Sequence, residues 1–313
     1  MTLIQVQAPG LLTTVQDLGR EGFGPLGVSP SGTADAISLR LGNRLVGNAE
    51  GAAGLEMTLL GGTFVFPQGG VIALTGSDFG ATLDAAPVGL YTSLEAKAGQ
   101  TLRVGPTRTG ARCYLCVLGA IAVKPLLGSA STHLLSGLGG YEGRALRKGD
   151  VLQTGLTTSP FAKKTVAARA LERLSPRKLL RVTPGPQSDS FSEASRQQFY
   201  AGTYRVAEDS NRMGLRLEGQ PIAQDSSGEM ITEGVSLGAI QITAGGLPII
   251  LFVEQQTTGG YAKIANVISA DLHSLGQLRP RDEIRFEHVD WDTARALLVE
   301  QEQLLASPDL FVL

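Results

Sequence analysis

The sequence predicts a mainly β protein with a few helices, on three observations. Glycine contributes 40 of 313 residues, well above the ~7% of an average domain, and glycine at that level marks many tight turns. The apolar residues fall in short runs bounded by Gly and Pro, and several runs alternate with the period of two that identifies half-buried strands. Hydrophobic residues still make up 42% of the chain, and the glycines show no period of three. Disorder and collagen-like fibre are therefore excluded.

The elements follow in order. Leu3 to Ala8 reads as a strand closed by the Pro9-Gly10 turn. Ser31 to Asp35 opens a helix in which Ile37, Leu41 and Leu45 fall at i, i+4 and i+8, ending near Gly47. Three segments share one form, a turn feeding alternating apolar positions: 98–104, 147–152 and 279–286. Leu179 to Thr183 is a strand closed by Pro184-Gly185. Ser188 to Tyr200 reads as a helix with Phe191 and Phe199 on one side. Asp290 or Asp292 caps a last helix striped by Ala294, Leu297, Leu298 and Leu304. The recurrence of strand and turn divides the chain into a first β unit at 1–155, a linker at 156–177, a second β unit at 178–288, and a C-terminal helix and tail at 289–313. The linker carries Lys163, Lys164, Arg169, Arg173, Arg177 and Lys178, with a helical stretch from Thr165 to Leu174.

Lys and Arg number 27 against 29 Asp and Glu, so the chain lacks the basic surface that nucleic-acid phosphates require. No window reaches the ~18 apolar residues of a membrane span. The N-terminal residues lack the basic and apolar regions of a signal peptide, and two cysteines suit a reducing compartment. The expectation is a cytoplasmic protein with no nucleic-acid or membrane partner.

Three short motifs lack the context their chemistry needs. Gly22-Phe23-Gly24-Pro25-Leu26-Gly27 spells a dinucleotide fingerprint, but no strand precedes it and no helix directly follows. Gly234-Val235-Ser236-Leu237-Gly238 spells a nucleophile elbow, but a β-branched strand, Ala239 to Thr243, follows where a helix is required. Cys113 and Cys116 lie in a strand-like run, 112–118, where i and i+3 face opposite ways and cannot share a partner. No metal site is expected. There is also no Gly-x-x-x-x-Gly-Lys-Ser/Thr loop and no lysine flanked by methionines for biotin.

Three polar clusters remain. The first, 13–20, holds Thr14, Gln16, Asp17 and Arg20. The second, 209–217, centres on Arg212. The third, 254–261, holds Glu254, Gln256, Thr257, Thr258, Gly259, Gly260 and Tyr261. Glycine lets backbone approach a ligand, guanidinium binds carboxylate bidentately, and amides and hydroxyls orient a polar ligand. The alternative is that these residues satisfy their own turns.

The ordered runs 9–20, 41–48, Leu127-Gly128-Ser129-Ala130-Ser131-Thr132, Gly185-Pro186-Gln187, 212–217 and 256–261 resemble the allophanate hydrolase subunit 2 family. That family is also called the biotin-dependent carboxyltransferase family and includes the C subunit of 5-oxoprolinase and the KipA proteins. The resemblance implies two cyclophilin-like β-barrel units. It implies a KipI-like B subunit as partner. With an A subunit, these open 5-oxoproline to glutamate at the expense of ATP, which is shared with the partner subunits. The chain by itself would be inactive. Alternatives within the family are a KipA-type regulator binding a KipI-like inhibitor of a histidine kinase, and a carboxyltransferase subunit for urea or another amide, the one reading that involves biotin. On the enzyme reading, Arg20 or Arg212 holds a carboxylate or phosphate, and Asp17 or Glu254 assists proton transfer. Tyr261, Gln256, Thr257 and Thr258 orient the lactam. Thr14, Gln16, Gln187, Gln241, Gly259 and Gly260 complete the substrate-binding set.

Overall fold

The computed structural model describes residues 2–156, 161–224 and 230–312. Strands dominate it, as the turn-rich sequence predicts. The chain forms two compact units: Met1–Arg20, Ser31–Leu174 and Ser307–Leu313 make the first, and Glu21–Pro30 with Ser175–Ala306 make the second.

The first unit contains β1 (Leu3–Ala8), β2 (Leu12–Gln16), β3 (Gly54–Thr58), β4 (Thr63–Val65), β5 (Gly70–Gly76), β6 (Thr82–Leu83), β7 (Ala86–Pro87), β8 (Ser93–Ala96), β9 (Thr101–Arg103), β10 (Arg112–Val117) and β11 (Val151–Gln153). They form a six-stranded sheet in the order β11-β1-β4-β9-β6-β7 and a five-stranded sheet in the order β2-β3-β10-β5-β8. Ile4, Phe64 and Leu102 of the first sheet join Val15, Leu55 and Leu115 of the second in one apolar core. Each such side chain contributes about 1.5–3 kcal/mol on burial.

Helix α1 (Ala36–Val46) begins where Asp35 accepts a hydrogen bond from the Ser38 amide and ends at Gly47, whose φ of +86° favours glycine. Its packing depends on Gly42, where a Cβ would stand 2.7 Å from the Cys116 sulfur. Cys113 meanwhile points into the shared core, so the two thiols face opposite sides of β10, as strand alternation requires.

The segment read as a linker is structured over its described part. Residues 161–174 belong to the first unit, with β12 (Thr165–Val166) pairing to the C-terminal Phe311–Val312, followed by α2 (Ala168–Arg173). Residues 157–160 of that segment lie outside the described residues. The sequence hid this arrangement because the pairing partner lies some 145 residues downstream in the chain, beyond any local pattern.

The second unit contains β13 (Leu179–Pro184), β14 (Tyr204–Val206), β15 (Gly214–Glu218), β16 (Glu233–Gly234), β17 (Ala239–Ile242), β18 (Pro248–Leu251), β19 (Thr258–Gly259), β20 (Lys263–Val267) and β21 (Glu283–His288). Seven of them close a barrel in the order β13-β20-β17-β18-β15-β14-β21, with β13 and β21 forming its parallel seam. The β16–β19 ladder stands apart from the barrel sheet.

Helix α3 (Glu193–Ala201) starts five residues later than the sequence pattern suggests, because Ser192 caps it and Ser188–Ser190 form a separate 3-10 turn. Phe199 from this helix stacks on Phe286 with centroids 4.7 Å apart. A short helix, α4 (Leu272–Leu275), precedes β21, and α5 (Trp291–Ala306) follows it. Asp290 is the residue that caps α5, accepting from the Thr293 amide at 2.7 Å. Of the apolar residues on α5, Leu305 alone is fully buried among those described.

Candidate functional site

In the first unit, the 13–20 cluster folds onto the 126–132 loop. Asp17 accepts from the hydroxyls of Ser129 and Ser131 and from the amides of Gly19 and Ala130. Four donors saturate its carboxylate, the pattern of a buried loop anchor. Arg20 donates to the carbonyl of Ser131, and Gln16 donates to Thr14 and to the carbonyl of Thr132. All four side chains are buried.

In the second unit, the barrel register brings the other two clusters together. Arg216, Ile249, Gln241 and Lys263 stand abreast on β15, β18, β17 and β20. Cross-strand partners share a face. The alternate row, Leu215, Ile250, Ile240 and Ala265, is buried and fills the barrel interior, while Arg216 is more than half exposed. The polar row therefore lies on the outer wall. A register shift between Ile240 and Gln241 sets Lys263 on this face, although it is two residues from the inward-facing Ala265.

A cleft of about 190 Å³ opens on that wall, lined among others by Asn211, Arg216, Gln241, Ile249, Gln256 and Tyr261. Its two rims are tied together by Arg212 and Glu254, which form a buried ion pair at 2.5 Å, and by the Glu254 amide donating to the Arg212 carbonyl. That pair stands behind the lining. Thr258 and Gly259 form β19 against Glu233–Gly234, and the Thr257 carbonyl accepts from the Val235 amide. Gly260 and Tyr261 are exposed at the rim. Gly259 lies so close to the wall that a Cβ there would stand 2.7 Å from Gln241 Nε2 and 2.8 Å from Gln256 Nε2.

On this wall Gln241 Nε2 has no hydrogen-bond acceptor, while its neighbour Lys263 has the Glu233 carboxylate as its ionic partner. Both residues are at most 3% exposed. A buried donor without an acceptor costs about 1–3 kcal/mol, and Gln241 carries that cost. Lys263 contacts the Glu233 carboxylate at 2.5 Å, and Gln187 Nε2 donates to the same oxygen at 2.6 Å. First the ammonium of Lys263 and then the Gln187 amide hold the Glu233 carboxyl below the usual carboxylate range. Gln187, in the turn after β13, exchanges backbone and side-chain hydrogen bonds with Lys263.

Lys263 and Glu233 are the site residues that sequence reasoning missed. A lysine opening a strand otherwise rich in buried residues, Lys263 to Val267, is a usable signal, since unpaired lysine is almost never fully buried. Among the described residues no cluster of His, Cys, Asp and Glu has the makings of a metal site. No helix there is long and apolar enough to cross a membrane. The Gly22–Gly27 run ends in a 3-10 turn, Gly24–Leu26, with no helix N-terminus to receive a phosphate.

Comparison with known proteins agrees with this architecture. Residues 26–288 match the family described as carboxyltransferase domain, subdomain A and B. The chain is 38% identical over 301 residues to the 5-oxoprolinase C subunit of Escherichia coli (strain K12), covering 96% of this chain and 95% of that one. It is 36% identical to urea amidolyase of Saccharomyces cerevisiae over 98% of its own length but 18% of the relative's. The crystal structure of K. lactis urea amidolyase superposes with a TM-score of 0.90 at 34% identity, covering 99% of this chain and 21% of that one. The chain thus spans nearly all of the bacterial protein and about a fifth of the yeast enzymes.

Proposed function

Because this chain belongs to the carboxyltransferase domain family, subdomain A and B, we propose that it is the C subunit of an ATP-dependent 5-oxoprolinase. In this reading it acts in the cytoplasm with an A subunit and a KipI-like B subunit to open 5-oxoproline to glutamate. The 38% identity to the E. coli protein, over 96% of this chain and 95% of that one, supports the reading. The observation that carries the reading at the site is Gln241, whose buried amide nitrogen faces the cleft with no acceptor. A lactam carbonyl supplies the missing acceptor.

Gln241 would hold that carbonyl, with Gln256 and Tyr261 orienting the ring from the rim. Arg212 and Glu254 would act as positioning residues, their ion pair fixing the spacing of the two rims. The saturated carboxylate of Asp17 and the loop-bound guanidinium of Arg20 would shape the first unit. The described residues offer no phosphate cradle, so ATP is assigned to the partner subunits.

The test is reconstitution. The purified chain should be inactive, and mixing it with the A and B subunits should release glutamate as ATP is consumed. The reading fails if the complete mixture releases none. The match to urea amidolyase over the whole of this chain favours, as a second reading, carboxyl transfer to urea or a related amide. That reading requires a biotinylated protein co-purifying with the chain, which an avidin blot detects.

A further inference from the structure

Three side-chain nitrogens gather beside the cleft. Lys263 stands next to Gln241 on the sheet surface, Gln187 hydrogen-bonds to Lys263 from the turn after β13, and one carboxylate, Glu233, faces both Lys263 and Gln187. The Lys263 ammonium is ion-paired to that carboxylate. Glu233 differs from its donors in being 44% exposed, and it is carried by a two-residue strand that pairs, among the described residues, with Thr258–Gly259. A carboxylate so placed regains water readily when it leaves. The buried lysine does not, and needs another anion in its place.

We propose that Glu233 is a built-in surrogate ligand whose carboxylate occupies an anion subsite formed by Lys263 and Gln187 until a substrate carboxylate displaces it. The ligand class follows from the neighbouring column. Lys263 takes a carboxylate and Gln241, its cross-strand partner, takes a carbonyl. The molecule that satisfies both bears a carboxylate and an amide carbonyl flanking one nitrogen, as N-acyl α-amino acids and their cyclic forms do. This identification rests on the reading of the cleft as the substrate site, and it adds the group that anchors the substrate's charge. Displacement breaks the Lys263–Glu233 contact and forms a Lys263–substrate one, with no covalent change.

Titration calorimetry on the full chain tests the surrogate directly, with acetate as a probe of the anion subsite and 5-oxoproline as a probe of both groups. Glu233→Ala should bind acetate at least tenfold more tightly than the unaltered chain, because the internal competitor is gone, and Lys263→Met should not bind it. Glu233 is exposed, so its variant does not depend on refolding the core. Should Lys263→Met fail to fold, Lys263→Arg replaces it and should retain binding. Equal acetate affinity in Glu233→Ala and the unaltered chain, or binding by neither, overturns the proposal. If Glu233→Ala tightens acetate but 5-oxoproline binds no better than acetate, the surrogate stands and the lactam assignment of the cleft falls.

Discussion

Gln241 and Lys263 are cross-strand partners on the outer wall of the second unit's barrel; Gln241 buries an amide nitrogen that has no acceptor, and Lys263 buries an ammonium ion-paired to Glu233. A buried donor without an acceptor is rare in folded proteins. It carries a stability cost of about 1–3 kcal/mol.

That cost makes Gln241 separable into stability and function. Gln241→Leu should leave stability unchanged or raise it by about 1 kcal/mol, since an unsatisfied buried amide is removed. In the reconstituted mixture the same variant should lose about tenfold or more in glutamate release, the equivalent of one hydrogen bond to the carbonyl. Thermal unfolding and the activity assay read the two effects independently. A lower midpoint with intact activity contradicts the assignment.

Gly259→Ala should act on the cleft alone. The added Cβ meets the ends of two flexible side chains, Gln241 and Gln256, so the fold can accommodate it while the amides are pushed aside. The expected result is a midpoint within ~4 °C of the unaltered chain, under about 1 kcal/mol, with binding of 5-oxoproline weakened about tenfold.

Asp17→Ala should behave in the opposite manner. Removing the carboxylate leaves the hydroxyls of Ser129 and Ser131 and the amides of Gly19 and Ala130 without their acceptor. Destabilisation of about 3 kcal/mol is expected in denaturant unfolding. A variant of unchanged stability but abolished activity would return Asp17 to the reacting centre.

Cys113 and Cys116 are fully buried, and burial pushes both thiols well above the ordinary cysteine range. Neither should react with a thiol reagent such as DTNB at pH 8 in the native chain, and both should react after denaturation. Rapid native labelling would contradict their placement on β10.

Asp150 supplies a pH test. Arg144 grips its carboxylate with two hydrogen bonds, at 2.7 and 3.0 Å, and this hold, joined by the Arg147 amide, keeps the carboxyl below its usual range. A depressed carboxyl stabilises the fold above its unfolded pKa, and that stability is lost as pH falls through the folded value. Asp150→Asn should therefore cost about 1 kcal/mol at pH 7. The gap from the unaltered chain should close below about pH 4, read as unfolding midpoints across a pH series.

Local physics made much of the fold legible. Alternation placed the strand Leu3–Ala8, the strand-like run at 112–118 holds β10, and the cap at Asp35 with the left-handed Gly47 bounded α1. The missing helix after Gly27 and the strand after Gly238 disposed of two glycine motifs by the same means. Ser188 to Tyr200 was less legible, because aromatic spacing reads alike through a 3-10 turn and a helix, and the Ser192 cap sits between them.

The polar clusters were visible as residue types, but their grouping was not. Chemistry near Arg212 and Glu254 can be suspected from sequence. Their mutual neutralisation behind the cleft, and the engagement of Asp17 by the 126–132 loop, depend on segments 42 and more than a hundred residues apart.

The sequence by itself determined the β class, the local turns and caps, and the family to which its ordered motifs belong, because each of these is written within a few neighbouring residues. Only the tertiary structure decided that Lys263 shares a face with Gln241. Regular alternation would set Lys263 with Ala265 in the barrel interior; the register shift at β17 and β20 turns it outward, toward Glu233 and beside an amide that lacks a partner. Register is fixed by pairing between distant strands, and a one-residue slip reverses the face of every side chain beyond it.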